Sequence, residues 1–161
     1  MKASVGQKLQ AGDEAPDFQL HSTEGIKALA DFKGEWLVLY VYPKDDTPGC
    51  TQESCDFRDS QLNQSLAAQV LGLSGDDLAS HQGFANKYRL PFPLLSDPEL
   101  KVIKAYGAYG EKNFYGKLTE GILRSSFIIT PQGKIAEAMY NIKVAGHVER
   151  IIKRLEELKQ A

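Results

Sequence analysis

The segment EWLVLYVYPKDDTPGC (residues 35–50) joins a continuous apolar run to a short polar stretch that ends in a cysteine. The run is rich in Val, Leu and Tyr, with Lys-Gly before it and Pro43 after it, which is typical of a strand buried on both faces. TPGC then has the pattern of a helix start, because Thr47 suits the N-cap and Pro48 the first helical position. The segment therefore predicts a buried strand followed by a helix with Cys50 in its first turn.

Further elements follow on both sides of this unit. The predicted elements are short strands around a turn at Gly25, a helix over 51–66, a strand in AQVLGLSG (68–75), helices in DDLASHQGFANKYRL (76–90) and SDPELKVIKAYG (96–107), a hairpin in SSFIITPQGKIAEAMY (125–140) and a C-terminal helix. That last helix has an apolar stripe, formed by Val148, Ile151, Ile152, Leu155 and Leu158, which is typical of a core-facing helix. The glycine-rich stretch GAYGEKNFYGKLTEG (107–121) is expected to be a loop.

This order of elements predicts an α/β fold over residues 1–161 as one domain, with parallel strands first and an antiparallel pair at one edge. A β-hairpin extension precedes the first buried strand. In sheets of this kind, functional groups collect beyond the carboxyl ends of the strands. Cys50 is expected in that place.

Composition excludes several classes of function. The net charge of −2 and pI near 5.9 argue against a surface for nucleic acid or anionic membrane. No stretch approaches the roughly 18 apolar residues of a membrane span, and the first residues lack the apolar core of a secretory signal. Two cysteines are too few for a disulfide framework. We therefore expect a reducing compartment, either the cytoplasm or an organelle if a targeting peptide was removed.

The position of Cys50 favours a reactive thiolate. Free backbone N–H groups and the positive end of the helix dipole lie near a side chain in the first turn, and Gly49 leaves room for a small molecule. Lowering an ordinary thiol pKa from about 8.5 to about 6 takes roughly 3.4 kcal/mol, whereas a helix terminus supplies at most ~2 kcal/mol. A nearby cation is therefore needed. The alternative is an inert buried cysteine at a strand-to-helix turn.

Two arginines are candidates for that cation. Arg58 lies about 12 Å further along the same helix, which is too far for good contact, so we expect a surface or structural ion pair there. Arg124 comes directly before SSFIIT, and a neighbouring strand could carry it to the start of the helix. An ordinary exposed arginine at position 124 is the alternative.

Cys55 lies five residues after Cys50, and residues at this spacing in a helix have Cα atoms about 8–9 Å apart. A disulfide needs roughly 4.4–6.8 Å, so the pair can bond only if the helix unwinds. Cys55 could instead be a core residue beside Leu62 and Leu66. The spacing differs from the C-x-x-C of dithiol exchange, and the cysteines alone are a weak metal site.

The histidines, His21, His81 and His147, lie apart from the cysteine motif. Nothing in the sequence marks any of them as a ligand or a base. A hydrolase with a Cys-His pair is therefore not favoured.

Pro43, Thr47 and Cys50 match the P-x-x-x-T-x-x-C signature of the peroxiredoxins. The longer segment YPKDDTPGCTQESCDFRD (42–59) resembles the peroxiredoxin Q, or bacterioferritin comigratory protein, subfamily. Supporting segments resemble that group in the same order along the chain: GDEAPDFQL, LLSDPELKVIKAYG, GEKNFYGK and GILRSSFIITPQGKI. The resemblance implies a thioredoxin-like fold, a central mixed sheet flanked by helices.

The resemblance also implies roles for the site residues. Cys50 would be the peroxidatic cysteine, whose thiolate attacks a peroxide and becomes a sulfenic acid. Cys55 would be the resolving cysteine, forming an intramolecular disulfide that a thioredoxin-type donor reduces. The Thr47 hydroxyl and the Gly49 and Cys50 backbone N–H groups would orient the peroxide. Arg124 would stabilise negative charge, and Pro43 would shield the sulfur from water. Thr47 could instead cap the helix.

The expected partners are hydrogen peroxide or an organic hydroperoxide and the thiol donor, without metal, flavin or haem. The expected state is a monomer, with a weak dimer as the alternative. A redox sensor that uses the same disulfide to change shape is the competing function. A general thiol–disulfide exchanger is disfavoured by the C-x-x-x-x-C spacing.

Overall fold

The computed structural model describes residues 8–60, 62–114 and 116–160. The strands are β1 (Gln19–Ser22), β2 (Gly25–Ala28), β3 (Trp36–Val41), β4 (Ala68–Ser74), β5 (Leu94–Ser96), β6 (Tyr109–Phe114), β7 (Lys117–Ile122), β8 (Ser125–Ile129) and β9 (Ile135–Met139). The helices are α1 (Pro48–Ser60), α2 (Leu62–Ser65), α3 (Leu78–Tyr88), α4 (Lys101–Ala105) and α5 (His147–Gln160), and a 3₁₀ turn covers Leu29–Phe32.

A mixed sheet of seven strands organises the chain, in the order β2-β1-β5-β4-β3-β8-β9. Strands β3, β4 and β5 are parallel, whereas β8 and β9 run antiparallel at one edge and the β1–β2 hairpin forms the other. The predicted α/β class, the edge pair and the N-terminal hairpin are confirmed, in a thioredoxin-like arrangement. Because β3 lies between β4 and β8, its carboxyl end is close to the beginning of β8.

Strand β3 is buried on both faces, as its apolar run predicts. Residues 37–41 are at most 1% exposed. Alternate side chains enter separate core clusters: Val38 and Tyr40 contribute to one, and Leu37, Leu39 and Val41 to the other. Helices α1 and α5 cover the first cluster, so the carboxyl end of β3 is held within a packed core.

Helix α5 packs the predicted stripe against the sheet. Val148, Ile151 and Leu155 are buried, and Ile152 and Leu158 pack against the same cluster. Among the described residues, no helix has both the length and the apolar character needed to span a lipid bilayer.

Three predicted elements differ from the structure. The helix predicted over 51–66 is described as α1 (Pro48–Ser60) and α2 (Leu62–Ser65), on either side of residue 61, which lies outside the described residues. Residues 107–121 were expected to be a loop, but β6 and β7 form an antiparallel hairpin over most of this stretch. Its turn is closed by Gly116, which has φ of +79° and donates its N–H to the Asn113 side chain at 3.0 Å. The helix predicted within 96–107 is shorter, since α4 covers only Lys101–Ala105. The Asp97 side chain accepts a hydrogen bond from the Ile103 N–H at 2.9 Å.

Candidate active site

Cys50 lies in the first turn of α1, beyond the carboxyl end of β3, and is 1% exposed. The Thr51 N–H donates to the Thr47 carbonyl oxygen at 2.8 Å, which is the bond expected where the helix begins at Pro48. The N–H groups of Gly49 and Cys50 come before this bond, so they have no acceptor within the helix. The thiol therefore sits among donors that could bind an anion or a polar oxygen.

Arg124 is brought to Cys50 by the pairing of β3 with β8. Val41 at the end of β3 pairs with Ser125 at the start of β8, so Arg124 lies immediately beside the start of α1. Its Nη2 donates a hydrogen bond to the Cys50 Sγ at 3.3 Å. The cation that the sequence argument requires is therefore within contact distance of the sulfur.

Glu53 completes this contact and was not identified from the sequence. The Arg124 Nη1 donates to the Glu53 Oε1 at 2.6 Å, so the guanidinium contacts Cys50 and Glu53 with its two terminal nitrogens. Glu53 is fully buried, and its Oε2 has no hydrogen-bond partner among the described residues. The available signal was its position three residues after Cys50, which puts both side chains on one face of a helix.

Burial raises the pKa of the Glu53 carboxyl to about 7, although the charge and hydrogen bond of Arg124 oppose the rise. Ionised Glu53 therefore costs stability, and this cost is absent below pH ~4.5, the ordinary value, and complete above pH ~7. We expect the free energy of unfolding to fall by roughly 2–3 kcal/mol more between pH 5 and pH 8 in the native protein than in Glu53→Gln.

Urea unfolding at the two pH values measures this difference. Glu156→Gln, on the exposed side of α5, is the matched control and should retain the pH dependence of the native protein. Equal slopes in the native protein and Glu53→Gln would show that Glu53 does not titrate in this range.

Gly49 permits the close approach of the guanidinium. A Cβ at this position would lie 3.2 Å from the Arg124 Nη2, which is tighter than ordinary contact. A larger residue would therefore move the cation that contacts the sulfur. The glycine predicted to leave space for a small molecule also leaves space for Arg124.

Thr47 and Pro43 lie on the loop between β3 and α1, and both are half-buried. The Thr47 hydroxyl donates to the Lys44 carbonyl oxygen at 2.9 Å. Its donor is thus used within the loop rather than on the Cys50 sulfur. The structure brings Cys50, Arg124 and Gly49 into direct contact distance, whereas Thr47 and Pro43 are neighbours of the sulfur along the chain.

Cys55 is a free, half-buried thiol that lies on a surface groove. The other residues that line the groove are Asp46, Pro48, Thr51, Gln52 and Tyr88. Cys55 belongs to neither of the described core clusters, so its interpretation as a core residue beside Leu62 and Leu66 is wrong, although Leu62 is buried. Burial raises the pKa of the Cys55 thiol despite the nearby charge of Arg58.

Arg58 forms the surface and structural contacts expected of it. Its Nε donates to Asp59 at 2.8 Å, and its Nη1 donates to the Tyr88 carbonyl oxygen at 2.7 Å. The contact with Tyr88 joins the end of α1 to the end of α3, whereas the contact with Asp59 lies within α1. Of the two arginines considered from the sequence, Arg124 is the one that contacts Cys50.

A buried polar network around Asp45 was also not identified from the sequence. The Asp45 carboxylate accepts hydrogen bonds from the Tyr42 hydroxyl at 2.6 Å and the Ser80 hydroxyl at 2.8 Å, and it contacts the His81 Nδ1 at 2.6 Å. The His81 Nε2 lies 2.8 Å from the Leu95 carbonyl oxygen, which makes that nitrogen a donor. These groups satisfy one another, so we interpret the network as the anchor of the active-site loop.

His147 is likewise held within the protein. Its Nε2 lies 2.8 Å from the Ser126 hydroxyl, and burial, with the charges of Arg150 and Arg124, lowers its pKa to about 4. A neutral, buried imidazole at the start of α5 serves packing. This geometry gives no reason to assign it to catalysis.

Residues 11–138 match the model of the AhpC/TSA family. The chain is 44% identical over 146 residues to a putative peroxiredoxin of Mycobacterium tuberculosis strain H37Rv, covering 89% of this chain and 93% of that protein. It is 40% identical over 151 residues to peroxiredoxin Bcp of Escherichia coli K12, covering 92% and 97%.

A solved structure of the Xanthomonas campestris bacterioferritin comigratory protein is also similar, with a TM-score of 0.84, 38% identity and coverage of 91% and 98%. That protein is described as having alkyl peroxide reduction activity. A peroxiredoxin Q structure from the same organism gives a TM-score of 0.83 at 39% identity, covering 91% of this chain and 97% of that one.

Proposed function

Because the chain belongs to the AhpC/TSA family and is a peroxiredoxin of the Bcp, or peroxiredoxin Q, type, we propose that Cys50 is its peroxidatic cysteine and that a thioredoxin-type donor recycles it. The observation that carries this proposal is the hydrogen bond from Arg124 to the Cys50 sulfur at the start of α1. A thiol peroxidase needs an ionised sulfur in a site that also accepts peroxide oxygens. The described site offers a cation and free N–H groups for both purposes.

In the first step, the Cys50 thiolate attacks one peroxide oxygen and the O–O bond breaks. The sulfur becomes a sulfenic acid, and the departing oxygen takes a proton and leaves as water or an alcohol. Arg124 stabilises the thiolate and the negative charge that develops on the departing oxygen. The N–H groups of Gly49 and Cys50 donate to the peroxide, and the Thr47 hydroxyl oxygen, whose proton is donated to the Lys44 carbonyl, accepts from it. Pro43 limits access of water.

In the second step, Cys55 resolves the sulfenic acid. Its sulfur bonds to the Cys50 sulfur, the S–O bond breaks, and the hydroxide leaves with the thiol proton as water. A donor dithiol then exchanges with the disulfide and restores both thiols. Because the chain has two cysteines, Cys55 is the one thiol available for an intramolecular bridge to Cys50.

Hydrogen peroxide and organic hydroperoxides both suit this proposal. The O–O bond is the one bond of the peroxide that breaks, so the alkyl group of a larger substrate takes no part in the chemistry. The alkyl peroxide activity described for the Xanthomonas relative supports the larger substrates. All residues given a role come from one chain, so a monomer is sufficient for the chemistry. Recycling by a dithiol donor suits a reducing compartment, and the proposed role is antioxidant defence.

Replacing Cys55 by serine tests the proposed cycle. We expect Cys55→Ser to be oxidised once by one equivalent of hydrogen peroxide, with thioredoxin-coupled turnover reduced to background, because the bridge that the donor reduces is not formed. Mass spectrometry after that single equivalent should show a Cys50–Cys55 bridge in the native protein and oxidised Cys50 in the variant. Full coupled turnover by Cys55→Ser would contradict the resolving role.

A further inference from the structure

The proposed bridge, on which this inference rests, cannot form in the structure as it stands. Cys50 and Cys55 are free thiols in one unbroken helix, α1. Helical positions five apart have Cα atoms about 8–9 Å apart, whereas a disulfide needs roughly 4.4–6.8 Å. The first turns of α1 must therefore unwind before the second step of the cycle.

The loop before α1 is attached to α3 at two consecutive aspartates. Asp45 is bonded to the start of α3 through Ser80 and His81. Asp46 is bonded to the end of α3, where its carboxylate accepts from the Lys87 Nζ at 2.9 Å and from the Tyr88 hydroxyl at 2.8 Å. Because these bonds hold the loop directly before α1, unwinding from the first residue of the helix requires at least one of them to open.

The two attachments differ in how easily they can open. The side chains of Asp45 and His81 are 3% and 0% exposed, so separating them would leave a polar group or a charge buried without its partner. Those of Asp46 and Lys87 are 43% and 59% exposed, and exposed pairs of this kind break at little cost because water replaces the contact. The inner attachment is therefore expected to persist, and the outer one is the easier of the two to release.

The backbone of Asp46 can also change once its bonds are broken. Its φ is +57°, in the left-handed region, which aspartate adopts more readily than most residues but less readily than the ordinary regions. The bonds to Lys87 and Tyr88 are made from this conformation and add to its stability. When they open, the chain from Asp46 onward is free to take a more ordinary conformation, and the first turn of α1 loses its fixed start.

Release also occurs next to the second thiol. Asp46, Pro48 and Tyr88 line the same groove as Cys55. With Asp45 still anchored, the five residues to Cys50 span at most about 18 Å, so the oxidised sulfur stays near that groove. Opening the outer attachment therefore loosens the wall of the groove, while the anchor at Asp45 keeps Cys50 within reach of Cys55.

We propose that Asp46, held by Lys87 and Tyr88, is a latch that keeps the first turn of α1 wound and sets the rate at which a Cys50 sulfenic acid reaches Cys55. Asp46 is a positioning residue, because it acts through the helix and not on the reacting atoms. The latch gives peroxide time to react at an intact site. It also exposes the sulfenic acid to a second peroxide, which would oxidise it to sulfinic acid.

The double variant Asp46→Asn/Tyr88→Phe tests the latch with little change in shape. Asparagine still tolerates the left-handed conformation, and phenylalanine keeps the ring that packs on Phe84. We expect the Cys50–Cys55 bridge to form roughly three- to tenfold faster after one equivalent of hydrogen peroxide. The peroxide concentration that gives half conversion to sulfinic acid should rise by a similar factor, with the first oxidation unchanged.

The salt dependence of the rate of bridge formation is a second test, because a purely structural role of Asp46 would not make that rate depend on ionic strength. Higher ionic strength should speed bridge formation in the native protein, by screening the Asp46–Lys87 pair, and should have little effect in the double variant. Lys134→Met, which breaks the exposed pair with Glu14 (3.2 Å), is the matched control and should behave like the native protein.

The outcomes separate the latch from the proposed function. Bridge formation at the native rate or slower in the double variant, with the bridge still formed in the native protein, overturns the latch alone. Consumption of peroxide by the native protein without any Cys50–Cys55 bridge overturns the resolving role and the latch together.

Discussion

Cys50→Ser is expected to abolish peroxide consumption, with a fall of at least roughly 10⁴-fold, the order of loss found when an enzyme's nucleophile is removed. A serine hydroxyl is a weak nucleophile because it stays protonated near neutral pH, and one guanidinium contact cannot ionise it. Thioredoxin-coupled consumption of hydrogen peroxide and of an organic hydroperoxide measures the effect. Both substrates should be affected, because the same sulfur attacks each of them.

The fold should survive this substitution. Serine is nearly the shape of cysteine, suits the first turn of a helix, and can accept the hydrogen bond that Arg124 donates to the Cys50 sulfur. We therefore expect thermal unfolding within a few degrees of the native protein. Cys55→Ser is the matched control when one equivalent of peroxide is added without the donor, because it should still undergo one oxidation, whereas Cys50→Ser should undergo none. Substantial turnover by a folded Cys50→Ser protein would remove Cys50 as the peroxidatic residue.

The local pattern around Cys50 was predictable because it depends on neighbouring residues. The apolar run that becomes β3 is continuous, and Thr47 and Pro48 have strong positional preferences at a helix start. Burial of the run on both faces follows from the same pattern, since polar residues are absent from it. These signals placed Cys50 at the carboxyl end of a central strand without any long-range information.

The contacts of Cys50 with the rest of the site depend on pairings that no local pattern contains. Arg124 reaches the sulfur only because β8 pairs with β3, and the resemblance to peroxiredoxins, not periodicity, favoured it. Glu53 was missed because a glutamate on a helix is usually exposed, and only the contact with Arg124 explains its burial. The Asp45–His81 pair joins residues far apart in sequence and has no motif.

The hairpin of β6 and β7 was missed for a different reason. Residues 117–120 of β7 are all exposed, and only its last residues approach the core, so the strand shows no alternation of apolar and polar residues. Glycines and charged residues dominate the stretch, which is the composition of a loop. Cross-strand pairing and the turn at Gly116 form the hairpin, and only the pair at its base, Tyr109 and Ile122, packs against the core.

Arg124→Gln is expected to lower the rate constant for oxidation of Cys50 by roughly 10²–10³-fold, the usual cost of removing a donor that stabilises a developing oxyanion. The variant removes both the charge that favours the thiolate and the donor for the departing oxygen. Stopped-flow measurement of the first oxidation isolates this step from recycling. Arg58→Gln is the matched control, because that arginine contacts Asp59 and the Tyr88 carbonyl oxygen and should leave the rate nearly unchanged.

A loss of activity in Arg124→Gln could also come from instability, since the substitution leaves Glu53 buried without its cation. Breaking a buried pair in this way typically costs about 3–5 kcal/mol, reduced here where Glu53 takes up a proton. The double variant Arg124→Gln/Glu53→Gln removes both charges and should recover most of the stability. It should not recover the oxidation rate, because the sulfur still lacks its cation. A double variant that is stable and reacts like the native protein would show that Arg124 serves only the fold, and the electrostatic basis proposed for the chemistry would be wrong.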